Sequence, residues 1–129
     1  MEPNEALAEL TELSSQVEDA AILGETGFVL ASTGVPERGE QLARVAAELL
    51  SAAADVRAGG REVTRVDVAL PAGSVFVVKE GARTAVATTV PQPTAGLVTY
   101  DLRTALRRLD EAPAPSPPKR SRRKGASDA

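Results

Sequence analysis

The sequence contains no cysteine, no histidine and no tryptophan. Without a thiolate or an imidazole there is no zinc finger, no iron–sulfur ligation and no disulfide scaffold. The serine–histidine and cysteine–histidine arrangements of nucleophilic catalysis are excluded for the same reason. Aromatic side chains are nearly absent, with Phe28, Phe76 and Tyr100 completing the set. A stacking platform for single-stranded nucleic acid needs several ring faces in succession, so that mode of binding is excluded too. No apolar run approaches the roughly 18–20 residues that span a bilayer. The acidic start, Met1-Glu2-Pro3-Asn4-Glu5, has neither the basic nor the apolar region of a secretory signal. These features point to a cytoplasmic protein.

Other chemistry is missing as well. Gly24 and Gly27 bracket a short turn, but no lysine follows and no GxxxxGK[ST] occurs, so the turn is not a phosphate cradle. No calcium loop of the DxDxDG type is present. The carboxylate pairs Glu18-Asp19 and Asp110-Glu111 sit at element ends, where solvated or capping roles account for them, and no metal site or cofactor is expected. Tyr100, the single tyrosine, reads as a buried structural hydroxyl bonded to a loop rather than a catalytic group.

What remains is enough for one domain. Of 129 residues, 43% are apolar and 26% charged, which suits a folded chain. Its net charge of −3 conceals an asymmetry. Residues 1–112 carry 10 basic against 17 acidic side chains, whereas residues 113–129 carry Lys119, Arg120, Arg122, Arg123 and Lys124 against Asp128 alone. With four prolines and no large apolar residue, the segment 113–129 is expected to be a disordered tail appended to a domain spanning residues 1–112. Its basic run suits an anionic partner, either nucleic acid or an anionic membrane; a solubilising tail is the plainer reading.

Hydrophobic periodicity organises the rest. Leu7, Leu10, Leu13 and Val17 recur near helical spacing, predicting a first helix over residues 4–17 capped by Asn4. Ala20–Leu23 and Phe28–Ala31, joined by Gly24-Glu25-Thr26-Gly27, predict a hairpin. A long helix is expected from Glu37 to Arg57, stopped by Gly59-Gly60. On it Leu42, Val45, Ala46, Leu49, Ala53 and Val56 form a core-facing stripe. A second stripe of Ala43, Ala47, Leu50 and Ala54 lies about 100° further round, and its small side chains suit close approach of another helix, such as that of a symmetry mate. Three strands follow, over residues 62–70, 74–80 and 83–90. The first places Thr64, Val66, Val68 and Leu70 on one face and is a natural exposed edge. A last helix over residues 95–111 ends before Pro113. Short connections between adjacent strands imply an antiparallel sheet. The fold class is therefore α+β, a five-stranded antiparallel sheet sandwiched by helices in the order α-β-β-α-β-β-β-α.

That order, together with Ala21-Ile22-Leu23-Gly24-Glu25-Thr26-Gly27-Phe28-Val29-Leu30-Ala31-Ser32 at the first hairpin and Gly96-Leu97-Val98-Thr99-Tyr100-Asp101-Leu102 at the last helix, resembles the roadblock/dynein light chain family over residues 5–111. The resemblance implies a roadblock/profilin-like fold and a homo- or heterodimer joined through the third strands, with the second helices paired on one face. Thr64, Val66 and Val68 would then lie at the sheet junction and the alanine stripe near the dimer axis. It also implies a non-enzymatic adaptor or regulator of a Ras-like small GTPase, whose own residues would carry out any hydrolysis. The outer face of the second helix is the implied platform, with Arg38, Glu40, Gln41, Arg44 and Glu48 as contact residues and Arg44 foremost. A solvated ladder of ion pairs among Glu40, Arg44 and Glu48 is the simpler alternative.

Overall fold

The computed structural model describes residues 1–56 and 63–110. The Gly59-Gly60 stop, the start of the third strand at residue 62 and the tail with Lys119, Arg120, Arg122, Arg123 and Lys124 lie outside the described residues, as does the domain boundary placed at residue 112.

Eight elements follow in the expected order: α1 (Pro3–Leu13), β1 (Val17–Leu23), β2 (Val29–Ser32), α2 (Pro36–Val56), β3 (Arg65–Leu70), β4 (Gly73–Glu80), β5 (Arg83–Thr89) and α3 (Ala95–Asp110). Helix α1 is shorter than its periodicity suggests. Its C-cap, Ser14, has extended backbone and donates its N–H to the Leu10 carbonyl at 2.9 Å. Serine favours such termini because its side chain competes for local backbone groups. Val17, read as the last helical residue, instead opens β1. The N-cap is Glu2, not Asn4; Pro3 takes the first helical position, and the Glu2 N–H donates to Glu5 Oε1 at 3.1 Å. Pro36 likewise opens α2 one residue before its expected start.

The strands form one antiparallel sheet in the order β2-β1-β5-β4-β3. Both faces are covered, which explains the near-continuous apolar runs. Alternate residues of each strand serve different cores. Ala20, Ile22, Phe76, Val78, Ala85 and Ala87 join Leu7 and Leu10 of α1 and Val98, Leu102 and Leu106 of α3 on one side. On the other, Ala21, Leu23, Val77 and Val86 pack beneath Leu42 and Ala46 of α2. Two close approaches need glycine. A Cβ on Gly39 would stand 2.5 Å from Ser32 Oγ, so α2 lies against β2 at this point. Gly73 has φ 147°, and a Cβ there would collide with the Thr89 carbonyl oxygen.

Leu102 is fully buried, whereas Leu97 on the same helix is 50% exposed. Leu102→Ala is expected to lower the unfolding free energy by about 3 kcal/mol in a urea titration. Leu97→Ala should cost less than about 1 kcal/mol.

Candidate interaction surface

Helix α2 is the only helix on its face of the sheet among the described residues, so its outward side is open. Leu42 and Ala46 face the sheet, with Ala43, Leu49 and Leu50 packed partly against it. The opposite ridge, Glu37, Gln41, Arg44, Glu48, Ser51 and Asp55, is exposed throughout, as is Glu40 beside it. Of this ridge Arg44 is the only base. No ion pair joins Glu40, Arg44 and Glu48 among the described residues, so the expected ladder does not form and Arg44 stands among uncommitted carboxylates.

Arg38 behaves differently from its neighbours. It lies in the first turn of α2, and it is half-buried. Its Nε donates to Asp19 Oδ2 at 3.2 Å and its Nη1 to Gln41 Oε1 at 2.8 Å. Thr33 Oγ1 donates to Asp19 Oδ1 at 3.4 Å and accepts the Ala20 N–H at 3.0 Å. Arg38 therefore ties the start of α2 to β1 and is not an unengaged arginine. A register shift between Val17 and Asp19 accompanies this joint. Adjacent Glu18 lines a groove with Arg38.

Two shallow grooves flank α2. One, of about 200 Å³, runs from Arg38 and Glu18 to Leu70, Val75 and Thr88, on the side of the β3–β4 hairpin. The other, of about 250 Å³, is floored by Leu23, Ala43, Ala46, Ala47 and Leu50 and bounded by the Gly24–Gly27 turn. Arg38 and Ala47 are nine residues apart, about 180° round the helix. The alanine stripe therefore borders the β1–β2 turn, with Ala43 and Leu50 already packed on their own sheet and Ala47 and Ala54 exposed. Val45, Leu49 and Val56 fall within about 20° of Arg38, on the side of the β3–β4 hairpin. Composition could not reveal which flank looked which way; the tertiary anchor at Arg38 decides it.

Strand β3 forms one edge of the sheet. Val66 and Val68 are half-buried, Thr64 is exposed, and Val66 packs with the core beneath α2. Arg65 and Asp67 alternate with them and form a two-pronged pair, at 2.9 and 2.7 Å. The hydrogen bond from Arg65 to Asp67 holds the guanidinium pKa above its ordinary value, against a small opposing effect of burial. Tyr100, expected inside, is 64% exposed on α3. No group of carboxylates among the described residues is arranged to hold a metal ion.

The fold has known counterparts. The family model for the Roadblock/LC7 domain matches residues 3–89. Among curated protein sequences, none matches the chain. A Roadblock/LC7 domain from Streptomyces avermitilis superposes with a TM-score of 0.74 at 20% identity, covering 85% of this chain and 96% of that one. Myxococcus xanthus MglB superposes with a TM-score of 0.68 at 18% identity, covering 83% and 84%. A profilin, LokiProfilin2, solved in complex with rabbit actin, gives 0.57 at 15% identity, covering 81% and 92%. With the family model spanning α1 through β5 and the structures extending the match across most of the chain, this chain belongs to the Roadblock/LC7 domain family.

Proposed function

We propose that this chain is a dimeric, non-enzymatic adaptor or regulator of a Ras-like small GTPase, which it engages through the outer ridge of α2. The family match and the likeness to MglB are consistent with a regulator or adaptor of that kind. The observation that carries the reading is the ridge itself. Six outward residues from Glu37 to Asp55 are polar and exposed, and no core packing requires them. Arg44 sits at the centre with no ion-pair partner among the described residues, and an arginine in that setting is suited to bidentate capture of a carboxylate. Glu40, Gln41 and Glu48 would set register around it, while Arg38 holds the platform in place. A partner without a nucleophile can still accelerate phosphoryl transfer by positioning the residues of the GTPase.

The dimer is proposed to form across β3, with Thr64, Val66 and Val68 at the junction of the two sheets. The Val45–Leu49–Val56 flank would line that junction in the place expected of the alanine stripe. Val56, 79% exposed, and Leu70, 53% exposed, are the apolar side chains left open there. The charge asymmetry between domain and tail favours a second role, in which Lys119, Arg120, Arg122, Arg123 and Lys124 hold an anionic nucleic acid or membrane surface.

Two outcomes test these statements. Affinity capture from nuclease-treated source-cell lysate, with GDP or a non-hydrolysable GTP analogue, should recover a small GTPase in one nucleotide state. Removal of residues 113–129 should leave that capture intact, and Arg44→Glu should weaken it at least tenfold while changing unfolding free energy by no more than about 0.5 kcal/mol. Capture that disappears with the tail, or that ignores Arg44, refutes the α2 platform. Separately, Val68→Lys should reduce the assembly formed across β3 in sedimentation velocity, because a charge on an edge strand blocks strand pairing; an unchanged mass would place the junction elsewhere.

A further inference from the structure

The face of the sheet opposite α2 carries an apolar patch that neither core uses. Leu13 is 70% exposed, and together with Leu97 and Tyr100 it accounts for three of the seven most exposed large apolar side chains among the described residues. All three lie where the end of α1 meets the start of α3. Glu9 bonds Arg108 at 2.9 Å while Leu13 lines a crevice with Asp101 and Thr104, so α1 and α3 run antiparallel, side by side. Leu97 and Tyr100 stand one helical turn before Asp101 and Thr104, the residues that Leu13 borders. The Thr94 N–H donates to Gln16 Oε1 at 2.7 Å, which fixes the end of α1 against the start of α3 at this point. A patch of this kind, rimmed by charge, marks an interaction surface.

Its charge pattern identifies the occupant. Helix α1 presents Glu2, Glu5, Glu9 and Glu12 and no base. Helix α3 presents Arg103, Arg107 and Arg108, with the acid Asp101 in the crevice beside Leu13; Arg107 pairs with Glu80 and Arg108 with Glu9. Arg103 and Glu12 have no ion-pair partner among the described residues. Acid thus predominates on α1 and base on α3, on either side of the seam between two antiparallel helices, with Glu12 and Arg103 as the uncommitted charges. A two-fold axis in the plane of contact and parallel to the helices lays α1 of one copy on α3 of the other. Acid then meets base twice, and Leu13 of each copy meets Leu97 and Tyr100 of the other. The alternative in-plane axis, across the helices, would set α1 on α1 and acid on acid. We propose that the α1–α3 face is a self-complementary contact that binds the same face of a second copy of this chain, with Leu13, Leu97 and Tyr100 at its centre and Glu12 opposite Arg103. Such an isologous contact closes on itself. It leaves α2 and β3 free, so with pairing across β3 the chain assembles through two separate surfaces.

Sedimentation equilibrium of the full chain over a range of concentrations tests this. The Val68→Lys chain, with its β3 edge blocked, should still form a dimer, and adding Leu97→Asp or Tyr100→Glu should make it monomeric. Glu12→Arg and Arg103→Glu should each weaken this dimer at least tenfold, and the two together should restore it to within about threefold of the parent, since the reversed pair is again complementary. Raised salt should weaken it. Circular dichroism and thermal unfolding report folding of each variant. A Val68→Lys chain that is already monomeric, a dimer indifferent to Leu97→Asp and Tyr100→Glu, or a double reversal that does not rescue would each overturn the α1–α3 contact. Failure of pairing across β3 reads differently: Val68→Lys would then match the parent mass, while the Leu97 and charge variants would still respond.

Discussion

The antiparallel pairing of β1 with β5 is the joint on which the remaining structure depends. It links the N-terminal hairpin to the C-terminal three-stranded meander, which are separated in sequence by the whole of α2. Ile22 stands opposite Ala85 and Ala21 opposite Val86 across this seam, and each pair feeds a different core. Because both sheet faces are covered here, a slip of one residue would exchange the contents of the two cores. The small alanines on β5 and β1 leave room for Phe76 on one side and for α2 on the other. Closing the seam also brings Asp19 near the start of α2, where Arg38 completes the attachment. Long-range strand pairing thus determines where the helix presents its outer ridge.

Much of this was legible in the amino-acid sequence. Turn residues separated the last three strands cleanly, and α2 and α3 carried strong helical periodicity. The end of α1 was not legible, because Leu10, Leu13 and Val17 keep a helical spacing straight through the Ser14-Ser15 break. There the local preference of serine for a terminus outweighs a pattern that spans it. The extent of β1 was hidden for a related reason: Val17 and Asp19 pair with Thr89 and Thr88, a partnership between residues about 70 positions apart. Burial of Tyr100 was expected from its rarity, yet its place on α3 faces away from Leu102 and Leu106 and so toward solvent.

The candidate site was partly legible. Arg44 and Glu48 were recognisable from the polar arc of α2, and both are exposed. The role of Arg38 depended on Asp19, nineteen residues earlier and on a different element, which helical spacing cannot reveal. Orientation of the alanine stripe was not legible for the same reason. Periodicity gives angles about the helix axis, but which angle meets which strand is set by an anchor elsewhere in the chain. The division into two stripes was also too sharp, since a helix lying on a twisted sheet packs a broad arc, here from Leu49 through Leu42 and Ala46 to Ala43 and Leu50.

These surfaces differ in the physics available to them. The α2 ridge is polar and exposed, so affinity there must come from oriented charge pairs and should be sensitive to salt and to single substitutions at its centre. The β3 edge supplies backbone donors and acceptors beside half-buried valines, which gives strand register as well as affinity. On the α1–α3 face, Leu13, Leu97 and Tyr100 provide an apolar centre, and the division of charge between the helices fixes orientation. A partner that seeks only apolar area could sit on that last face in several ways; a second copy has one arrangement in which acid meets base on both sides. Separation of the three surfaces on opposite faces and an edge of one sheet means that occupation of one leaves the others accessible.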